Sequence, residues 1–238
     1  MCNAAMGTKA RFHVQLFPGP LTKRMNGSRG WLLLCALHGV ASMLLWWAPA
    51  DTVALLTWRA DEGLQRAWTL WSSAWVHLNT PHLIGNQLAL GALTAFAWVV
   101  RPPLASALAW LLAWPLMQAS LQLWPQIGYA VGLSGVLHAG VAVLAVQLLR
   151  RRIAVPQARR WGLLLGLGLL LKLGLERGWD HPVVWDTANH ISIVQGAHLA
   201  GAFWGLWLGW LTSWLPQQRP PETAAQSKPA PVSETVHP

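Results

Sequence analysis

Six long apolar runs constrain the fold of this chain more than any other feature of its sequence. They cover residues 31–47, 82–100, 103–124, 132–149, 161–175 and 191–215. A helix needs about 20 apolar residues to cross a bilayer, and a spanning run must be helical because lipid offers the backbone no hydrogen-bond partners. Only 11% of the residues are charged, against about 25% in a soluble domain. The sequence therefore predicts an all-α polytopic membrane protein with a bundle of six transmembrane helices.

The two ends of the chain differ in composition from this core. Residues 1–30 are polar and basic and are interpreted as a cytoplasmic N-terminal segment, followed by a core at 31–215. Residues 216–238 are rich in Pro, Gln, Ser and Thr, cannot bury a core, and are predicted to form a disordered cytoplasmic tail. The first run and the small residues at 48–50 also resemble a signal peptide. However, 17 apolar residues exceed the usual length of about 7–15 for such a segment.

The charged residues that give the net charge of +9 are distributed unequally between the two sides of the predicted bundle. Six spans place both termini on one side, and that side then holds 13 of the 17 Lys and Arg residues. The opposite side holds only Arg59, Arg66 and Arg177, together with most of the acidic residues. Short loops rich in Lys and Arg face the cytoplasm. The charge therefore predicts membrane orientation, with both termini cytoplasmic and the lipid bilayer as partner, and nucleic acid is not expected.

A serine between glycines opens the fourth run, in the sequence Gly132-Leu133-Ser134-Gly135. Ser134 is predicted in the first helical turn, where unsatisfied N–H groups carry partial positive charge and can stabilise an anion. Gly132 permits a sharp backbone turn into the helix, and Gly135 allows another helix to approach closely. The alternative is an ordinary serine N-cap beside small packing residues.

The last run carries a histidine above a GxxxG face. His198 lies three residues before Gly201, and Gly205 continues the same face. If this face packs against the fourth run near Gly135, His198 reaches Ser134 and can take its hydroxyl proton. The alternative is a histidine that only forms a hydrogen bond within the packed bundle.

The second run begins with the spacing HxxxxHxxxN, formed by His77, His82 and Asn86. His82 and Asn86 are four residues apart and share a helix face, and both side chains can donate hydrogen bonds. Facing Ser134, they would form an oxyanion hole. The alternative is a helix cap at the membrane interface with two hydrated histidines.

These three motifs, in this order, resemble those of the rhomboid family of intramembrane serine proteases. The motifs are GxSG at 132–135, AHxxGxxxG at 197–205 and HxxxxHxxxN at 77–86, and the resemblance covers the six-helix core. It implies cleavage of membrane-anchored proteins without a metal or other cofactor. The implied roles are Ser134 as nucleophile, His198 as general base, His82, Asn86 and the Ser134 N–H as oxyanion donors, and His77 as a residue that shapes the site entrance.

Other features resemble the rhombosortase branch of the family. They are GLSGVLHAG at 132–140, a compact core, and Lys172 with Glu176, which are four residues apart, can pair on one helix face and would extend the fifth run. His138 stands where many rhomboids have Tyr. Rhombosortases are bacterial rhomboids thought to process exported proteins with a C-terminal Gly-Gly sorting signal. The resemblance implies substrates with a C-terminal transmembrane helix, a bacterial inner (plasma) membrane location, and a site towards the periplasm.

Two assignments within the site have alternatives. His138 lies four residues after Ser134 and could be the base, but His198 is favoured because a side chain on the same helix tilts back along that helix. No acidic third member is apparent. Asp180 and Asp186 could approach from the preceding loop, and a Ser134–His198 dyad is the prediction.

Other functions are less consistent with the sequence. It has no HExxH motif, and the six runs contain no Asp pair for an aspartyl protease. A zinc site built from His77, His82, His138 and His198 is possible in principle. A rhomboid-like protein that escorts membrane proteins without cleaving them is the main non-enzyme alternative, but it has no need of both Ser134 and His198.

Overall fold

The computed structural model of the protein describes residues 21–216. The α-helices within them are α1 (Leu21–Leu45), α2 (Ala50–Leu56), α3 (Thr69–Ser72), α4 (Thr80–Val100), α5 (Leu104–Ser120), α6 (Ser134–Leu149), α7 (Ala158–Glu176) and α8 (Gln195–Thr212). Short 3₁₀ helices lie at Gly63–Arg66, Ser73–Trp75 and Leu121–Leu123. Residues 1–20 and 217–238, which contain most of the predicted N-terminal segment and the predicted tail, lie outside the described residues.

The long helices α1 and α4–α8 correspond to the six predicted runs, and the all-α membrane bundle is confirmed. By length and composition, three segments are suited to crossing a membrane: Ser28–Leu45, Thr80–Val100 and Leu104–Leu123. Helix α6 is also apolar but shorter. It does not need a long lipid-facing surface, because 11 of its 16 residues are buried inside the bundle. Helix α6 is therefore the central helix, and it carries Ser134 at its first position.

Two boundaries differ from the predicted runs. Helix α1 begins at Leu21, so the helix includes part of the basic segment before the apolar run. Residues 191–193 are not helical, although they continue the last apolar run. They form strand β4 (Ile191–Ile193), which pairs antiparallel with β3 (Val184–Asp186). The β-branched Ile191 and Ile193 favour a strand, and α8 begins only at Gln195.

Close packing of α8 on α6 depends on small residues. A Cβ atom at Gly201 would overlap the carbonyl oxygen of Gly135, and one at Gly205 would overlap that of Ala139. A Cβ atom at Gly209 would lie 3.1 Å from the Cα of Val143. Since the two backbones touch along this face, α8 has a fixed height and rotation relative to α6.

Tryptophan packing builds a platform on the other side of α6. Trp31 of α1 stacks on Trp110 of α5 with ring centroids 4.4 Å apart. The buried His38 packs against Trp114 and accepts a hydrogen bond from Trp75 Nε1 at 3.1 Å. Part of the tryptophan excess therefore serves the core rather than the membrane interface.

Backbone hydrogen bonds from two other segments hold the loop that leads into α6. Strand β1 (Trp58–Arg59) pairs antiparallel with β2 (Tyr129–Ala130), and the fully buried Trp58 lies opposite Ala130. The N–H of Gly132 donates to the carbonyl of Ser73 at 3.0 Å. The backbone just before Ser134 is thus fixed from two directions.

Candidate active site

Ser134 is the first residue of α6, and the turn before it requires glycine. Gly132 has φ +106°, a conformation that L residues with a side chain rarely adopt. A Cβ atom there would also lie 2.5 Å from Nε2 of His82. The bare backbone of Gly132 therefore allows the His82 ring to lie directly against the turn, beside the free N–H groups at the start of α6.

His198 of α8 contacts the serine hydroxyl. Its Nε2 lies 2.8 Å from Oγ of Ser134, and the histidine is buried with 5% of its surface exposed. The packing of Gly201 and Gly205 on α6 sets this distance, because it brings the first turn of α8 to the first turn of α6. The hydroxyl donates to Nε2 when that nitrogen carries a lone pair, which is the arrangement needed for proton abstraction.

Glu176, the last residue of α7, lies on the other side of the same imidazole. Its two carboxylate oxygens are 3.0 and 2.9 Å from Nδ1 of His198. Glu176 also pairs with Lys172, one turn earlier on α7. The expectation that no acidic side chain stands behind the histidine is therefore wrong. The aspartates considered for that place are engaged elsewhere, Asp180 with Arg177 and Asp186 with Asn189.

His82 and Asn86 lie at the start of α4 and face the same space. Asn79 fixes this helix end: its side chain accepts the N–H of His82 at 2.9 Å and donates to the carbonyl of Asn189 at 2.6 Å. Asn86 is 6% exposed, and its Nδ2 has no hydrogen-bond partner among the described residues. An unpaired buried donor is costly, so this amide is available for a group that enters the cavity.

His77 lies behind His82 rather than on the cavity wall. The two rings are edge-to-face with centroids 5.0 Å apart, and Nδ1 of His77 donates to the carbonyl of Trp75 at 3.1 Å. Burial and the neighbouring His82 lower the pKa of His77 to about 4. His77 is therefore neutral near pH 7 and supports the position of the His82 ring.

A cavity of about 200 Å³ joins these side chains. Ser134, His198, His82, Asn86 and Gly132 all line it, and residues of the β3–β4 hairpin form its cover. Gln118 of α5 also lines the cavity; it is 4% exposed, and its Nε2 has no partner among the described residues. Neither Gln118 nor the hairpin was predicted from the sequence.

The family model for the rhomboid domain matches residues 64–215, which is more than half of the chain. The chain belongs to the rhomboid family. Proteins of this family are generally intramembrane serine proteases that act on membrane proteins within the bilayer. The matched residues include Ser134 and His198, and also His82 and Asn86 of α4. The comparison with curated proteins gives no match.

His138 of this rhomboid stacks on His198. The two rings are nearly parallel, at 8°, with centroids 4.3 Å apart. Nδ1 of His138 lies 2.7 Å from the carbonyl oxygen of Ser134, one turn earlier on the same helix, and donates to it. Of the two candidate bases, His198 is therefore the one that contacts the Ser134 hydroxyl. His138 holds the face of the His198 ring, at the position where many rhomboids have Tyr.

The metal alternative finds only partial geometric support in this rhomboid. Ligand atoms of His138, Glu176 and His198 lie within 4.8 Å of one another. The parallel stacking of the two histidines makes their in-plane lone pairs run side by side instead of converging, and both nitrogens of His198 already have partners. Among the described residues, the ring contacts link His77 to His82 and His138 to His198, but they do not join these pairs into a four-histidine site.

Proposed function

We propose that this rhomboid is an intramembrane serine endopeptidase that cleaves membrane-anchored proteins within or near a transmembrane segment. The hydrogen bond of 2.8 Å between Ser134 Oγ and His198 Nε2 carries the proposal. It supplies the nucleophile and its base in one buried contact beside a cavity. An escort protein that only binds membrane proteins has no need of this contact.

The proposed reaction begins when the Ser134 proton passes to Nε2 of His198 and Oγ bonds to the scissile carbonyl carbon. His82, the unpaired Asn86 amide and the Ser134 N–H stabilise the negative oxygen that forms. The C–N bond then breaks, and His198 returns the proton to the leaving amine. Water attacks the resulting ester with His198 again as base, and Ser134 is released.

We further propose substrates of the rhombosortase type, with a Gly-Gly signal before a C-terminal transmembrane helix. An intact helix hides its peptide bonds, and glycine lowers the cost of unwinding by about 1 kcal/mol per residue relative to Ala. The small cavity, about 200 Å³, also suits an extended strand without bulky side chains. The charge asymmetry of the sequence supports cytoplasmic termini and a site towards the opposite side of the membrane. The resemblance to rhombosortases implies that this membrane is the bacterial inner membrane and that the site lies towards the periplasm.

Co-expression with a candidate membrane protein that ends in such a signal tests this function. We expect the native chain to convert the substrate to a shorter form and Ser134→Ala to leave it intact. Ser106→Ala, which changes a buried serine of α5, serves as the control and should process normally. Equal processing by the native chain and Ser134→Ala would contradict the assignment for that substrate.

A further inference from the structure

We infer that Glu176 is a positioning residue that completes a Ser134–His198–Glu176 triad in this rhomboid. The inference rests on the proposed protease function and adds a residue that acts through His198. It departs from the dyad that the sequence predicts.

Glu176 determines which nitrogen of His198 carries the proton. A neutral imidazole carries its proton on either nitrogen, and only the form with the proton on Nδ1 can accept from Ser134. Both Glu176 oxygens lie within 3.0 Å of Nδ1. Because a carboxylate accepts and cannot donate, it selects the form with the proton on Nδ1 and leaves the Nε2 lone pair facing Oγ.

Glu176 also supplies a negative charge beside His198. His198 becomes positive when it takes the serine proton, and its side chain is only 6% exposed. A buried positive charge without a partner is costly. The Glu176 side chain is 13% exposed, and its carboxylate lies against the imidazole that must carry this charge. Among the described residues, the other titratable groups that face this region are His138 from α6, His82 from α4, Lys172 from α7 and Asp186 from β3. Asp186, the other carboxylate among them, accepts a hydrogen bond from Asn189 and forms no hydrogen bond or ion pair with His198.

The end of α7, which carries Glu176, is held in place beside α8. Arg177 ends the helix with φ 54°, and its N–H donates to Leu173 at 2.9 Å. The next residue, Gly178, lies so close to α8 that a Cβ atom would be 2.6 Å from the carbonyl oxygen of Gln195. The N–H of Gly196 also donates to Pro182 at 3.0 Å. These contacts fix the carboxylate relative to the first turn of α8, where His198 lies.

The rate at which a fluorophosphonate labels Ser134 in the purified full-length chain tests this role. The probe needs no substrate, since Oγ attacks phosphorus and displaces fluoride with His198 as base. We expect Glu176→Gln to slow labelling by about 10²–10⁴-fold, as for triads in which an amide favours the wrong tautomer. The control is Glu62→Gln, which removes a carboxylate paired with Arg66 outside the cavity and should label at the native rate.

A second variant separates positioning from folding. Glu176→Ala leaves space beside Nδ1 of His198. Added formate should raise the labelling rate of this variant at least tenfold, whereas formamide should not. A merely structural role would give no such rescue. If the native protein labels and Glu176→Gln labels within about threefold of the native rate, the triad is overturned. The proposed protease function is not affected by that result. Failure of the native protein to label would instead count against the proposed function.

Discussion

The imidazole of His138 lies flat against that of His198, with ring centroids 4.3 Å apart and planes at 8°. Its Nδ1 is bound to the carbonyl of Ser134, so His138 supports the base and does not contact the serine hydroxyl. We expect His198→Ala to abolish substrate cleavage and His138→Tyr, which keeps a flat ring at this position, to retain activity. Cleavage assays in membranes measure both. Loss of activity in His138→Tyr with activity retained in His198→Ala would reverse the assignment.

The glycine face between α6 and α8 should contribute to the stability of the folded protein. A Cβ atom at Gly201 overlaps a backbone carbonyl, so Gly201→Ala must push the helices apart. We expect a loss of about 1–3 kcal/mol, as for other overpacked contacts, and a lower thermal midpoint in detergent. The matched control is Gly166→Ala on α7, where a Cβ atom meets nothing within 4 Å. That variant should be neutral or stabilising, because Ala favours a helix over Gly. Equal midpoints for the two variants would contradict the close packing.

The oxyanion assignment predicts different outcomes for two adjacent amides on α4. The Nδ2 of Asn86 and the Nε2 of Gln87 are both buried without a partner among the described residues. Asn86 lines the cavity with Ser134, whereas Gln87 lines a separate groove with Leu90 and Thr94. We expect Asn86→Ala to lower kcat by about 10²–10³-fold with little change in KM, since one oxyanion donor is worth that much. Gln87→Ala should keep the native kcat. Similar kcat values for both variants would exclude the oxyanion role.

Lys172 is predicted to matter much less than Glu176. Its side chain is 54% exposed, and it pairs with Glu176 on the outer side of the helix. Lys172 pairs with Glu176, whose contact with Nδ1 of His198 does not depend on the ammonium. We therefore expect Lys172→Met to slow fluorophosphonate labelling by no more than about fivefold, which corresponds to about 1 kcal/mol. A loss as large as that of Glu176→Gln would show that the ammonium, and not the carboxylate alone, is needed at the site.

The sequence predicted the parts of the site that lie on single helices. His82 and Asn86 are four residues apart and therefore share one face of α4. Ser134 and His198 each lie close to glycines of their own helix, and the glycines of α8 indicate which face packs against α6. Glu176 was recognised only as the partner of Lys172. Its contact with His198 depends on how the end of α7 meets the start of α8, which helical spacing does not encode. The β3–β4 hairpin was missed because Ile191 and Ile193 were assigned to the apolar run that continues into α8.

The most direct test of the central claim is the reaction of Ser134 with a fluorophosphonate in the folded, full-length protein, with the modified residue located by mass spectrometry. We expect one labelled residue, Ser134, and loss of labelling in both Ser134→Ala and His198→Ala. Folded native protein that stays unlabelled, or that labels equally well in His198→Ala, would contradict a serine nucleophile activated by His198.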